Sequence, residues 1–342
     1  MRTSNIHAAL IMGFCTTSLM AQEVTLKVSH FLPPNSNYQK TVLEPWCEKL
    51  AAESANKLKC QIYPAMQLGG TPPQLVDQVK NGVADIIWTS PSYSTGRFPY
   101  TEALEQPFVL PPGGLAGSKA MWEYYTKFAT KDYADYKMLA MFSGSGVIFS
   151  TASKPILGLD SFKGIKLRSS SRSAAKLLAS LGGSPVNMPP AQITESISKG
   201  VVDGAIATWE LVPAVKLEEV AKYHIEGIQN QPGFTMNPLV MLMNKQKYEN
   251  LSPELKAVID KNSGLPLVVM AGTAWDNATV EGKKKANAAG NKTLVMKQED
   301  YDAIRKASIS VEQEWAKDVA TKGLDGVALI REARAIGQKY LK

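Results

Sequence analysis

Hydrophobic and polar positions alternate over short stretches of this chain, then shift to helical spacing, and the exchange repeats. Leu26-Lys27-Val28-Ser29-His30-Phe31 predicts a first strand. Pro33-Pro34-Asn35-Ser36 is a turn and a helix start, and the helix runs to about Ser54. The stretch from Leu58 to Tyr63 reads as the next strand. Strand, helix, strand in this order predicts a parallel βαβ unit. A helix from about Pro72 to Asn81 stops at Gly82, and Ala84 to Thr89 reads as a buried strand. Past the midpoint the pattern returns. Lys163 to Arg168 is a predicted strand, and Arg172 to Leu181 is a helix stopped by Gly182-Gly183. Pro185 to Met188 is a short strand, Ala191 to Lys199 a helix stopped by Gly200, and Val201 to Ala207 runs extended.

The two passages are related. Gln74-Leu75-Val76 begins eight residues before Gly82, and Val83-Ala84-Asp85 follows. Gln192-Ile193-Thr194 begins eight residues before Gly200, and Val201-Val202-Asp203 follows. A Pro pair precedes each block, Pro72-Pro73 and Pro189-Pro190. The reading is two similar α/β lobes, with chance likeness of two amphipathic units as its alternative. A length of 342 residues agrees with two domains at roughly 100–200 residues each.

Two open parallel sheets imply a cleft, and ligands sit beyond the carboxyl ends of such strands. That rule points to His30, Phe31 and Asn35, and to Thr89, Ser90 and Tyr93, in the first lobe. In the second it points to Arg168, Ser169, Ser170 and Arg172, and to Ala207, Thr208 and Trp209.

The N-terminus changes the compartment. Met1 to Ala21 holds one charged side chain, Arg2, and an apolar run from Ala8 to Met20. That run is shorter than the ~20 residues of a membrane span and reads as an export signal cleaved after Ala21. A lipid anchor on Cys15 or an uncleaved segment are the alternatives. Cys47 and Cys60 remain in the mature chain. An oxidising compartment permits them to pair, because a helix packed on the neighbouring strand can bring them together. Two buried thiols are the other possibility.

Composition excludes several classes. Hydrophobic residues at 44% and charged residues at 20% describe a folded protein. The net charge is +7, but the Lys and Arg residues are scattered, so no nucleic-acid partner is expected. His30 and His224 are the histidines of the mature chain, and no HExxH, CxxC, GxSxG, P-loop or GxGxxG motif occurs. Neither a metal, a cofactor nor catalysis is expected.

Arg168 carries the expected chemistry. It ends a strand, and Ser169-Ser170-Ser171 and a helix start follow. A guanidinium fork matches a carboxylate, and a helix start adds unpaired N–H groups. Arg172 is a second candidate, one turn along, which could equally face solvent. Phe31, Trp88, Tyr93, Phe149 and Trp209 fall beside predicted strand ends. Around an Arg, two or three of these would favour a carboxylate with an apolar or aromatic body; the alternative for each is core packing.

At these residues the chain resembles the periplasmic substrate-binding proteins of TRAP transporters, of the DctP type. The matching text is Leu26-Lys27-Val28-Ser29-His30, Tyr63-Pro64-Ala65-Met66-Gln67-Leu68-Gly69 and Asn81-Gly82-Val83-Ala84-Asp85. It continues with Phe162-Lys163-Gly164-Ile165-Lys166-Leu167-Arg168 and Lys199-Gly200-Val201-Val202-Asp203-Gly204. Met243-Asn244 before Leu251-Ser252-Pro253-Glu254-Leu255 closes it. The resemblance implies an α/β fold of two lobes joined by crossing strands and a long helix, with the ligand cleft between them. It implies an organic acid held by Arg168, small and large TRAP membrane subunits as partners, a periplasmic location and a monomer. It also implies a chain that returns to the first lobe near Asn237, which adds Asn237 to the expected ligand contacts. The expected lobes are residues 22–145 plus about 236–275, and 146–235 plus about 276–342. Two departures bear on the ligand. Many relatives that bind dicarboxylates or sugar acids carry a second Arg where Ile148 stands, and many follow the VDG motif with Gln-Glu-Asn-Pro where Ala205-Ile206-Ala207-Thr208-Trp209-Glu210 stands. Both point to a monocarboxylate. A ligand-binding partner of a sensor and a secreted enzyme are the competing readings.

Overall fold

The computed structural model describes residues 23–341; the expected export signal and its cleavage point lie outside them. The first repeat forms β1 (Val24–His30), the helix Glu44–Glu53, β2 (Leu58–Tyr63), the helix Leu75–Lys80 and β3 (Ile86–Thr89). β4 (Tyr136–Ser143) completes the first passage, and the chain then crosses to β5 (Ile148–Thr151). The second repeat forms β6 (Lys166–Ser169), the helix Arg172–Ser180, β7 (Ser184–Asn187), the helix Ile193–Ser198 and β8 (Gly204–Ala207). β9 (Tyr223–Glu226), β10 (Pro238–Asn244) and β11 (Lys292–Val295) follow.

These strands make two sheets, ordered β2-β1-β3-β10-β4 and β11-β9-β5-β8-β6-β7. β1 lies parallel to β2 and β3, and β6 parallel to β7 and β8. Each parallel unit then meets an antiparallel strand delivered by the other lobe. β10 pairs with β3 in the first sheet, and β5 with β8 in the second. The two lobes therefore share a topology, and the polypeptide crosses between them at residues 144–147 and 227–237.

The repeated Gly-Val-x-Asp text has a structural job in both lobes. Gly82 (φ 74°) and Gly200 (φ 68°) take the left-handed conformation that ends a helix, where a Cβ is disfavoured. The Val83 and Val201 amides donate back to the Gln78 and Ser196 carbonyls, both at 2.9 Å. The Asp85 carboxylate accepts the Lys27 amide at 2.8 Å, and the Asp203 carboxylate accepts the Lys166 amide at 2.7 Å. Each Asp thus ties its lobe's first parallel strand to the chain entering the third.

Strand alternation sorts the cores. Leu26, Val28, Trp88, Met241 and Met243 face one side of the first sheet, and Ile87, Val240 and Leu242 the other. Phe149 and Ile206 face one side of the second sheet, and Ile148, Ala205 and Ala207 the other. Burial of both faces is why these strands read as apolar runs.

The helix Leu265–Ala288 packs Leu267, Val268 and Ala271 into the first lobe and Ala286 into the second. The expected lobe boundary needs a correction beyond it. Tyr301 and Ile304 join the second lobe, but Trp315, Val319, Leu329, Ile330, Ala333 and Ile336 pack into the first. The helices Ile309–Ala320 and Gly326–Tyr340 therefore return to lobe I. An amphipathic stripe shows that a helix has an apolar face; it does not say which lobe the face covers.

Cys47 and Cys60 form a disulfide with a Cα–Cα distance of 5.7 Å, joining the first helix to β2 across a sequence separation of 13. Closing a loop of that size removes freedom from the unfolded chain, by about 3 kcal/mol. Urea unfolding of the double variant Cys47→Ala, Cys60→Ala should give a free energy lower by about 2–4 kcal/mol, with the native fold retained. An unchanged midpoint would show that the bond adds nothing to stability.

Candidate functional site

The carboxyl ends of β1, β3, β6 and β8 converge on a cleft between the lobes. Lobe I supplies an aromatic wall. Trp88 is stacked between Tyr38 (3.9 Å) and Phe31 (4.9 Å), and Tyr93 stands edge-on to Phe31 at 5.3 Å. Trp275, from the long helix, tilts against Trp88 at 6.0 Å. Phe31, Trp88, Tyr93 and Trp275 all line the cleft. Lobe II supplies the polar side: Arg168, Ser170, Thr208 and Glu210.

Arg168 is 1% exposed. Its Nε donates to the Met188 carbonyl at 3.1 Å and its Nη1 to the Ile206 carbonyl at 3.0 Å. Those two bonds fix the plane of the guanidinium and leave three of its five N–H groups over. Among the described residues, no carboxylate lies within ion-pair distance of it. Burial lowers its pKa, and the neighbouring Tyr93 hydroxyl partly offsets that. Burial likewise raises the Tyr93 pKa, and Arg168 draws it back. A buried, oriented cation with free donors is an anion-binding group.

Of the residues expected from strand ends, Phe31, Tyr93, Arg168, Ser170, Ala207 and Thr208 come together in this cleft, and Asn237, expected from the resemblance, joins them. Asn237 is held by Ser90, whose Oγ donates to its Oδ1 at 2.9 Å. Ser90 is therefore a positioning residue rather than a lining one, since its hydroxyl is turned to Asn237 and to the Pro238 carbonyl at 3.0 Å.

Three other expectations are corrected. Arg172 turns away and pairs with Asp318 at 2.5 Å, because the first helical turn after Ser171 projects it toward the helix Ile309–Ala320. Trp209 sits in the second-lobe core, and its Nε1 donates to Glu226 at 2.8 Å. Its neighbours Thr208 and Glu210 face the cleft instead, because the chain turns at 209–210 into the helix Leu211–Ala214. Phe149 is core, packed on Phe162 and Phe234. Val147, not Ile148, lines the cleft at the start of β5, so the wall there is apolar.

His30 and Asn35 do not line the cleft. Asn35 is exposed, and His30 is buried with its Nε2 2.9 Å from Gln39 Oε1. Sequence reasoning missed Trp275 and Glu210 as lining residues. Glu210 had a signal, since it lies two residues past Thr208. Trp275 had none, because it arrives from a helix far along the chain.

The sequence profile of a DctP family, the bacterial extracellular solute-binding proteins of family 7, matches residues 28–318. The chain belongs to that family. A TRAP solute-binding protein from a marine metagenome, solved with 3-hydroxybenzoate, is 41% identical, with a TM-score of 0.91 over 94% of this chain and 100% of that one. A TRAP solute-binding protein from Rhodoferax ferrireducens, solved with copurified benzoate, is 37% identical, with a TM-score of 0.89 over 93% and 98%. The outer membrane transporter protein TsaT of Comamonas testosteroni is 26% identical over 93% of both chains. This is an extracellular solute-binding family, and the two-lobed TRAP solute-binding fold is the fold described above.

The burial of His30 in lobe I also makes a prediction about pH. Burial pushes the His30 imidazole pKa down to about 4, against some help from Gln39. Between pH 6.5 and 4 the unfolded chain therefore binds a proton that the folded ring refuses. The stability tied to this neutral ring is whole above pH 6.5 and is lost as pH falls toward 4, by about 3 kcal/mol in all. NMR titration should find His30 neutral at pH 5.5; a midpoint near 6.5 would contradict the buried placement.

Proposed function

We propose that this solute-binding protein captures an aromatic monocarboxylate and hands it to the small and large membrane subunits of a TRAP carrier. The observation that carries the reading is one buried Arg168, unpaired with any carboxylate among the described residues, in the same cleft as the stack Tyr38–Trp88–Phe31. A carboxylate would take the guanidinium fork. An aromatic body would gain from burial and from ring contacts of about 0.5–1.5 kcal/mol each. The aromatic acids bound by the metagenomic and Rhodoferax relatives support it. Val147 and Ile148 supply no second cation, so a second carboxylate would be buried unpaired. The reading includes export to the periplasm with cleavage after Ala21, which the first residue of the exported chain would read, and a monomer.

The competing enzyme reading has one arrangement to consider. Ser150 Oγ lies 2.9 Å from His224 Nδ1, and His224 Nε2 lies 3.1 Å from Asn291 Oδ1. Ser150 and His224 are 0% exposed and Asn291 is 6% exposed. None of the three lines the cleft. A nucleophile must reach its substrate, so these groups act as a polar clamp inside lobe II. We infer that binding occurs without turnover.

Calorimetry on a panel of acids should find benzoate-like or phenylacetate-like acids binding more tightly than branched keto acids and C4-dicarboxylates. Tightest binding by a dicarboxylate would overturn the monocarboxylate reading, and tightest binding by a keto acid the aromatic one. Arg168→Ala removes the carboxylate's partner, at roughly 2–5 kcal/mol, so affinity should fall about 30-fold or more. Near-native affinity in that variant would end the assignment.

A ligand touching both walls would hold the lobes together. Small-angle scattering should then show a smaller radius of gyration at saturation. An unchanged profile at proven saturation would count against closure.

A further inference from the structure

The cleft holds a second buried ionisable group whose role an anion site does not explain. Glu210 is 8% exposed and lines the same cleft as Arg168. Among the described residues no Lys, Arg or His pairs with it. It is not paired with Arg168 either, whose donors go to the Met188 and Ile206 carbonyls. Burying a carboxylate without a cation costs several kcal/mol, so its presence in a ligand cleft calls for a function.

The surroundings of Glu210 show what it does. Every group around it can donate. The Thr208 hydroxyl donates to its Oε1 at 2.6 Å, and the Ser145 hydroxyl approaches its Oε2 only at 3.5 Å, the limit of a hydrogen bond. The Trp275 indole N–H, a donor only, is directed to the same carboxylate but finds no hydrogen-bond partner of good geometry. Thr208 supplies the one short side-chain hydrogen bond to a carboxylate with about four acceptor sites, so Glu210 keeps acceptor capacity at the cleft wall.

We propose that Glu210 reads a hydrogen-bond donor on the ligand's ring, so that the preferred ligand is a hydroxylated aromatic acid. This rests on the aromatic monocarboxylate reading above. The carboxylate end meets Arg168, the ring lies against the wall of Phe31, Trp88 and Trp275, and the ring hydroxyl donates to the Glu210 carboxylate. The same group rejects a ring bearing a second carboxylate, by repulsion between two anions. A site built around a buried acceptor discriminates strongly, because the unsubstituted ring leaves that acceptor unpaired. Burial also raises the pKa of Glu210, partly opposed by Thr208, so the preference should weaken in acid as the carboxylate gains a proton.

The test compares ratios of affinity. Calorimetry at neutral pH would titrate benzoate, the three monohydroxybenzoates, 3-methoxybenzoate and isophthalate into the full mature chain. The best hydroxybenzoate should bind at least about tenfold more tightly than benzoate. Methoxybenzoate, similar in shape but without the donor, should lose that gain, and isophthalate should bind most weakly. In Glu210→Leu the ratio of hydroxybenzoate to benzoate affinity should fall to about one. In Glu210→Gln, which keeps one acceptor oxygen and the volume, part of the advantage should return. Thermal melts of both variants establish that they are folded. A merely structural role would lower the affinity for all acids together and leave the ratio unchanged. Equal binding of benzoate and every hydroxybenzoate by the parent protein, or a preference that survives Glu210→Leu, would overturn the proposal while leaving the aromatic-acid reading standing. Binding of none of these acids would overturn that reading itself.

Discussion

A guanidinium taken out of water must have its charge and its donors answered, and Arg168 is answered only in part. Two backbone carbonyls, from Met188 and Ile206, hold its plane. They satisfy two donors without neutralising the cation. The remaining donors stay committed to one direction at little further entropic cost, because the side chain is immobilised before any ligand arrives. Preorganisation of this kind is worth more than an added surface charge, since an exposed Arg would spend much of its interaction on water. Arg172 illustrates the contrast. Half exposed and paired with Asp318, it is an ordinary surface ion pair that contributes little.

The fold exists to present that cation and its aromatic counterpart from separate bodies. Lobe II carries Arg168 and Glu210; lobe I carries the stack of Tyr38, Trp88 and Phe31 with Tyr93 at its edge. Neither lobe has both halves. The chain crosses between the lobes several times, so their relative movement is constrained to bending of those segments and of the long helix Leu265–Ala288. Trp275 stands on that helix and lines the cleft, so the element spanning both lobes forms part of the cleft wall. Asn237, at the entry to β10, is likewise on a crossing segment and is pinned by Ser90.

The doubled text of the two halves belongs to folding rather than to binding. Asp85 and Asp203 each accept an amide of their lobe's first parallel strand, from Lys27 and Lys166, and Gly82 and Gly200 each end a helix in the left-handed conformation. These four residues lie at the amino ends of the strands, away from the cleft. The chemistry sits at the opposite strand ends, where the two halves no longer resemble one another: Phe31 and Tyr93 in one, Arg168 and Thr208 in the other. The shared text serves the scaffold, and the cleft walls differ.

Local sequence by itself determined the strand–helix order, the kinship of the two halves and the strand ends where a ligand would sit. Those follow from period, punctuation and the geometry of parallel sheets, all short-range properties. It also marked Arg168, because strand-end position and the serines after it are local. Pairing of Cys47 with Cys60 was permitted by sequence and decided by the packing of the first helix on β2. Tertiary structure alone decided which neighbour faces the cleft. A one-residue change of phase separates Glu210 from Trp209 and Val147 from Ile148, and strand boundaries cannot be read from sequence to one residue. It alone brought Trp275 to the site, and it alone returned the helices Ile309–Ala320 and Gly326–Tyr340 to lobe I, since an apolar stripe carries no address. Contacts between residues far apart in the chain are set by how whole layers dock, and no local pattern encodes them.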